Sequence, residues 1–267
     1  MLLEYNPRHC LPSAEDLPDS DDTPVDNQLQ HLIPGLLEAI LALIWPERMD
    51  WFFGVDMGIY SDPSEPAIVP DGFLSIGVPR IIDSDLRLSY VLWEEQKVPL
   101  FVLEVVSQTR RGEYTDKKKD YAELGIKYYA IYNPLRKRKP RLEVYQLEEG
   151  EYQLLSGEPV WLSELNLGIG REEGTYQGIT REWLYWYNEQ GEKYLTPEET
   201  ILDTQTKLQS TENRANVAEN RANVAEETIL EQEQKLQSTE ERANVAENRA
   251  KRLEELLREQ GIDPDRF

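Results

Sequence analysis

Phe101-Val102-Leu103-Glu104-Val105-Val106-Ser107-Gln108-Thr109 decides how this chain is read. Its first six residues are apolar, three of them β-branched, apart from one carboxylate, a pattern that predicts a buried strand. An ionised carboxylate in such a strand is costly unless a cation or hydrogen-bond donors meet it. A charged run follows. It predicts a short helix over Glu113 to Leu124 carrying Lys117, Lys118 and Lys119 and stopped by Gly125. Tyr128 to Tyr132 then reads as the next strand, closed by Asn133-Pro134. Strand, helix and strand in that order imply a right-handed crossover within a mixed sheet.

Upstream, residues 1–25 are rich in Pro, Asp and Ser and read as a disordered or loosely wrapped acidic arm. Asp26 is placed to cap a helix whose apolar face is Leu29, Leu32, Leu36, Leu37, Ile40, Leu41 and Ile44. Pro34 should kink or interrupt it, and Pro46 should end it. Trp51 to Tyr60 reads as a strand with Asp56 in its middle. Ala67 to Ile76 reads as a second, interrupted by Pro70-Asp71-Gly72, which puts Asp71 where a sheet bends. Residues 77–99 read mostly as connection. Beyond the Arg136–Arg141 basic loop, Leu142 to Leu147 and Tyr152 to Leu155 predict a hairpin. Val160 to Leu167 closes over the sheet, and Trp183 to Tyr187 adds a late strand.

Thr196-Pro197-Glu198-Glu199 is a strong helix start, with a threonine cap, a proline in first position and a glutamate completing the capping box. No glycine or proline follows until Gly261, and Lys207 to Glu212 recurs as Lys235 to Glu240, a shift of four heptads. The column at 208, 215, 222, 229, 236, 243, 250 and 257 reads Leu, Ala, Ala, Ile, Leu, Ala, Ala, Leu. The column at 211, 218, 225, 232, 239, 246 and 253 reads Thr, Ala, Ala, Gln, Thr, Ala, Leu. That is a thin coiled-coil seam, since alanine layers bury little area. It implies a homodimer through the tail; the alternative is a single solvated helix held by intrahelical charge pairs. The organisation is therefore an arm over 1–25, a folded domain over 26–195, a coiled-coil helix over 196–260 and a tail over 261–267.

The net charge of −22 argues against a nucleic-acid binder if taken whole. Residues 110–141 nevertheless hold 11 basic against 4 acidic residues, a local charge of +7 beside Glu104. One cysteine excludes an internal disulfide, and two histidines are too few for a His/Cys metal site. The first residues lack a signal-peptide pattern, and the longest apolar run, Ala39 to Trp45, is too short to span a bilayer. The expectation is a cytoplasmic protein without a membrane segment.

Asp71 and Glu104 are the carboxylates to place together. Two carboxylates with backbone carbonyl help suit a hard divalent ion, Mg²⁺ or Mn²⁺, that activates water for phosphodiester hydrolysis, and a lysine nearby would orient the water or neutralise charge. A structural ion pair to Lys117 would satisfy Glu104 equally, and Asp71 alone could be a turn residue. Asp56 could face Asp71 across a hairpin, as a structural acid. Helical spacing does not choose among Lys117, Lys118 and Lys119.

Asp71, Phe-Val-Leu-Glu104-Val-Val-Ser107-Gln-Thr109, Lys117, Tyr121, Gly125, Tyr128-Tyr129 and Asn133-Pro134 resemble, in order, the Uma-type "putative restriction endonuclease" family. That family is abundant in cyanobacteria and belongs to the PD-(D/E)xK nuclease superfamily. The resemblance runs from Asp26 to Pro134 and more loosely to Glu199. It implies an α/β (α+β) fold with a mixed sheet flanked by helices, Asp71 and Glu104 as metal ligands, Lys117 as the third catalytic group, and DNA as substrate. The superfamily's usual lysine, two residues after the glutamate, would fall on Val106; the family moves it to the following helix. Glu113 stands for an acid four residues before that lysine, and Tyr121 is the tyrosine four residues after it. Arg110, Arg111, Lys118, Lys119, Arg136, Lys137, Arg138 and Lys139 are then candidates to hold the nucleic-acid backbone. The competing readings are a catalytically inactive nuclease-fold module that assembles through its coiled coil, and a scaffold whose acidic surface and tail carry the function.

Overall fold

The computed structural model describes residues 11–17, 27–82, 86–107, 112–135 and 140–261. It divides into two units, 1–200 and 201–267. The first is a mixed α+β domain.

Its centre is a six-stranded sheet in the order β1-β3-β5-β6-β7-β8. The strands are β1 (Trp51–Val55), β3 (Gly72–Ile76), β5 (Phe101–Val105), β6 (Tyr128–Tyr132), β7 (Leu142–Glu148) and β8 (Glu151–Leu154). Only β5 and β6 pair in parallel, joined through α3 (Asp116–Glu123); every other neighbour is antiparallel. Two short strands, β2 (Ile59–Tyr60) and β4 (Tyr90–Val91), pair separately, and β4 leads into the single turn α2 (Leu92–Glu95). β9 (Val160–Leu162), β10 (Leu167–Tyr176) and β11 (Ile179–Tyr187) form a second, antiparallel sheet.

Strand alternation divides the interior in two. Phe101, Leu103 and Val105 of β5 share one core with Tyr128, Ala130 and Tyr132 of β6, with α1 (Gln28–Ile44) and with Trp183 and Trp186 of β11. Val102 instead shares the opposite face with Val106, Tyr121, Tyr129 and Ile131. Glu104 is in step with Val102, so it projects into this second core, beneath α3. Helix α1 buries Leu32, Ile33, Leu36, Leu37, Ile40 and Leu41, and its Leu37 carbonyl accepts from the Trp186 indole at 3.0 Å.

Several local expectations change. Asn27 caps α1 through the Leu29 N–H, whereas Asp26 lies outside the described residues. Pro34 sits inside a continuous helix and causes no break. Its ring packs where Gly72 leaves room: a Cβ on Gly72 would lie 3.0 Å from Pro34 Cβ. The expected strand Trp51–Tyr60 is two strands, because Asp56 adopts φ +48° and turns the chain between them. Helix α3 starts at Asp116, three residues later than expected, and residues 77–99 contain β4 and α2. The ten-residue strand β10 was not anticipated. Within the stretch read as an arm, residues 14–16 form a 3-10 turn boxed by Ser13 and Asp16, and the Pro12 carbonyl accepts from the Trp93 indole at 2.9 Å.

The second unit belongs to α4, a helix over Pro197–Glu259 with no buried residue. Its start is the capping box expected from sequence: Thr196 Oγ1 accepts from the Glu199 N–H, and the Glu199 carboxylate accepts from the Thr196 N–H. Among the described residues no helix is long and apolar enough to cross a membrane.

Candidate active site

The register of β3 on β5 pairs Gly72 with Leu103 and Phe73 with Val102. One residue further, Asp71 falls opposite Glu104, on the same face of the sheet. Both carboxylates are buried, Asp71 to 7% and Glu104 to 2% exposure. Strand β1 adds a third acid at the rim: Val55 pairs with Gly72, so Asp56 follows opposite Asp71, where its N–H reaches the Asp71 carbonyl at 3.4 Å. Asp56 itself is exposed.

Helix α3 lies over Glu104 and presents one face to it. Lys117 Nζ donates to Glu104 Oε1 and Oε2 at 2.8 and 2.9 Å, and to the Val69 carbonyl at 3.2 Å. One turn later, Tyr121 Oη donates to Glu104 Oε1 at 2.6 Å. Residues four apart on a helix share a face, so one carboxylate collects both. The adjacent lysines point elsewhere. Lys118 Nζ sits 3.4 Å from the centre of the Tyr145 ring, and Lys119 pairs with Glu123 at the surface. The structure thus selects Lys117 as the lysine in contact with Glu104, a choice that spacing left open.

Asp71 is held by a different set. The Val105 N–H donates to Oδ2 at 2.5 Å, and Gln30 Nε2 donates to Oδ1 at 3.2 Å. Gln30 reaches the site from α1, 41 residues away in sequence. Its other amide atom, Oε1, accepts from the Asn27 N–H at 3.3 Å, closing the capping box of α1. That bond fixes which end of the amide faces Asp71. Gln30 is not among the residues singled out from the sequence; its one signal there is a polar side chain within a largely apolar helix.

Electrostatics set this cluster apart from the rest of the domain. Burial, then the nearby Glu104 charge, push the Asp71 pKa up to about 8. Burial also raises the Glu104 pKa, against the pull of Lys117. Burial opposes the charge of Lys117, but Glu104 outweighs it and the Lys117 pKa ends above its ordinary value. Burial and the Glu104 charge raise Tyr121 far enough to keep it a phenol donor. Glu113 is also buried; its charge bears on Glu104 and Lys117, and its carbonyl accepts from Tyr129 Oη at 2.7 Å. Around one ammonium, therefore, stand Glu104, Asp71 and Glu113, while the Asp56 charge bears on Asp71.

Among the described residues no group of three His, Cys, Asp or Glu side chains is gathered to enclose a metal. A hard ion that keeps most of its waters needs only one or two carboxylates. A carboxylate offers about four lone-pair positions. The hydrogen bonds above use two on Asp71 and three on Glu104. Oxygen lone pairs remain on both, and the excess of negative charge favours a cation. The donor set fits a partly hydrated divalent ion.

Of the basic residues proposed for a nucleic-acid backbone, Lys118 and Lys119 lie on α3 as described. Arg110, Arg111, Arg136, Lys137, Arg138 and Lys139 lie outside the described residues.

The family model Uma2, described as "Putative restriction endonuclease", matches residues 22–172, more than half of the chain. The match contains Asp71, Glu104, Lys117 and Tyr121 and ends within β10. A search of the curated proteins and of the solved structures finds no significant match.

Proposed function

The chain belongs to the Uma2 family of "putative restriction endonucleases", and on that premise we propose that it is a Mg²⁺- or Mn²⁺-dependent endonuclease of the PD-(D/E)xK type that hydrolyses DNA phosphodiester bonds. The observation that carries this reading is the cross-strand placement of Asp71 and Glu104 with Lys117 bonded to the second. The ion, held by Asp71 and Glu104 oxygens, would polarise the phosphate and lower the pKa of a bound water.

The chain's own groups do the rest. Asp71 must be ionised to bind a cation, and its two donors, the Val105 N–H and the Gln30 amide, hydrogen-bond the ionised form and favour it. Tyr121 and Lys117 fix Glu104 in one orientation. Lys117, charged at neutral pH, sits where it can orient a water or meet the charge that develops on the phosphate. Lys119, exposed on α3, is suited to a backbone phosphate. The tail would join two copies into a homodimer, giving two sites for two strands.

A second reading is favoured by one observation: Glu104 is already satisfied by Lys117 and Tyr121. On that reading the chain is a catalytically inactive nuclease-fold module that binds and assembles through its coiled coil. Incubation of plasmid DNA, and separately RNA, with the full chain and Mg²⁺ or Mn²⁺ distinguishes them. Cleavage that disappears in Asp71→Ala supports the nuclease. No cleavage with either ion, with DNA affinity equal in wild type and Asp71→Ala, supports the inactive module.

A further inference from the structure

We propose that two copies of this chain pair through α4 as a parallel, in-register, two-stranded coiled coil. This rests on the homodimer reading above and adds orientation and register to it. The apolar column of α4 is open along its length: Leu208, Ile229 and Leu236 are all more than half exposed. It is also thin, so apolar burial alone specifies little about how a partner would lie.

The flanking charges do specify it. Call the column beginning at Leu208 position a and the one at Thr211 position d. Position g is then Lys207, Arg214, Arg221, Thr228, Lys235, Arg242, Arg249 and Leu256, and position e is Glu212, Glu219, Glu226, Glu233, Glu240, Glu247 and Glu254. In a parallel pair each g residue faces the e residue five places further along the partner. Six of the seven pairings join a cation to a glutamate; the seventh sets Thr228 against Glu233. An antiparallel pair sets g against g and e against e, so the same residues meet as like charges.

Eight of the twelve charges in those six pairings have no opposite charge three or four places away on their own helix; Lys207, Lys235, Glu247 and Glu254 do. The residues three and four positions either side of Arg214, Arg221, Arg242 and Arg249 include no acid. Those around Glu219 and Glu226 include no base. Among the described residues the ion pairs within α4 are Lys207–Asp203 and Lys251–Glu247, neither of which uses one of those arginines. Charges spaced five apart with empty intrahelical neighbours match a second copy, not their own helix.

Register follows from the size of the a residues. A slip of one heptad sets Leu208 and Leu236 of one helix against Ala215 and Ala243 of the other. A slip of 28 residues restores the match, because 207–222 and 235–250 agree at 15 of 16 positions, but it leaves four heptads of each helix without a partner. The in-register pair keeps both the match and the full length.

The test uses the full chain with Cys10, its single cysteine, changed to Ser and Ala246→Cys introduced at a d position toward the end of α4. Sedimentation should read a dimer, and oxidation should convert it to a covalent dimer. Glu219→Lys, Glu226→Lys and Glu247→Lys together should weaken association roughly tenfold or more at low salt. Adding Arg214→Glu, Arg221→Glu and Arg242→Glu to that chain should restore it. A dimer that cross-links only when Ala246→Cys is mixed with a Thr211→Cys chain, near the mirror position, would overturn the parallel arrangement and leave the homodimer standing. A monomer at high concentration would overturn both, and leave the nuclease reading untouched.

Discussion

Glu104 and Glu219 are the same residue under opposite rules. Glu104 follows three apolar residues in a strand whose side chains alternate between two buried faces, so either face would bury it. Its charge is tolerated because Lys117 and Tyr121 are brought to it from 13 and 17 residues away. Glu219 sits among alanines and asparagines in α4, where a period of 3.6 turns it to solvent and no local partner is required. An acid that breaks its local pattern marks a site built by tertiary structure. An acid that keeps its pattern, repeated every seven residues, lines the interface proposed for α4. Substitutions should therefore cost most where the charge is buried and least where it recurs.

The largest effect should follow loss of Lys117. Lys117→Ala leaves Glu104 buried without its cation, a change expected to destabilise the domain by about 3–5 kcal/mol. Cleavage should fall on the order of 10²–10³-fold, the scale of a lost electrostatic group. Lys119→Ala, two residues away at the surface, should change stability by less than about 1 kcal/mol. Urea unfolding and initial cleavage rates of the two variants read both quantities. Equal stability losses would remove the contrast between buried and exposed charge.

Next in size is a pH dependence set by Asp71. Its pKa rises from an ordinary carboxylate's 3.8 to about 8 on folding, so between those values the folded state holds a proton that the unfolded state has lost. The stability this contributes is fully present below about pH 4 and is lost as pH rises toward 8. Metal-free protein should melt at progressively lower temperature across that window, relative to Asp71→Asn, which has no such proton to lose. Saturating Mg²⁺ at pH 8 should recover much of the difference, because a cation favours the ionised form. A wild-type-minus-variant melting difference that is flat with pH would refute this account of the carboxylate pair.

A smaller effect is expected at Gln30. Gln30→Ala removes one of the two donors to Asp71 and the side-chain half of the α1 capping box. The cost should be about 1 kcal/mol in stability. The Mg²⁺ concentration for half-maximal cleavage should rise several-fold, whereas a purely structural loss would lower stability and leave that concentration unchanged. Gly72→Ala should act in the same direction by forcing Pro34 of α1, and with it Gln30, away from the strand.

Gln30 also shows where sequence reading ended. The crossover β5-α3-β6 was legible because a two-residue period, one misfit acid and a stop at Gly125 are local signals. Asp71 was legible as a bend residue, and the approach of Asp71 to Glu104 follows once β3 is registered on β5. The Gln30 contact was not legible, because it depends on how closely α1 packs on Gly72. Nor could three consecutive lysines be separated until the rotation of α3 over β5 was known. Strand β10 was hidden by Gly168, Gly170, Gly174 and two glutamates, all poor strand formers. Gly170 is nevertheless needed there: a Cβ would lie 2.9 Å from the Tyr187 ring and 3.1 Å from Pro159.

The smallest effect should come from one charge in α4. Glu226 is exposed, and the residues three and four places away on its own helix carry no charge. Reversing it with Glu226→Lys should therefore leave the melting of the 1–200 unit and its cleavage per site unchanged. In a two-fold pair the change alters two contacts, each worth about 0.3–0.5 kcal/mol. Dimer dissociation should thus shift by no more than roughly fivefold. Loosening is the expected direction, because the introduced ammonium would face Arg221 of the partner subunit. Raising salt should shrink the difference between variant and wild type, since exposed charges are screened beyond about 10 Å at 0.1 M. A single reversal that abolished cleavage or unfolded the domain would mean that α4 charge is coupled to the site, and the separation between buried and repeating charge would fail.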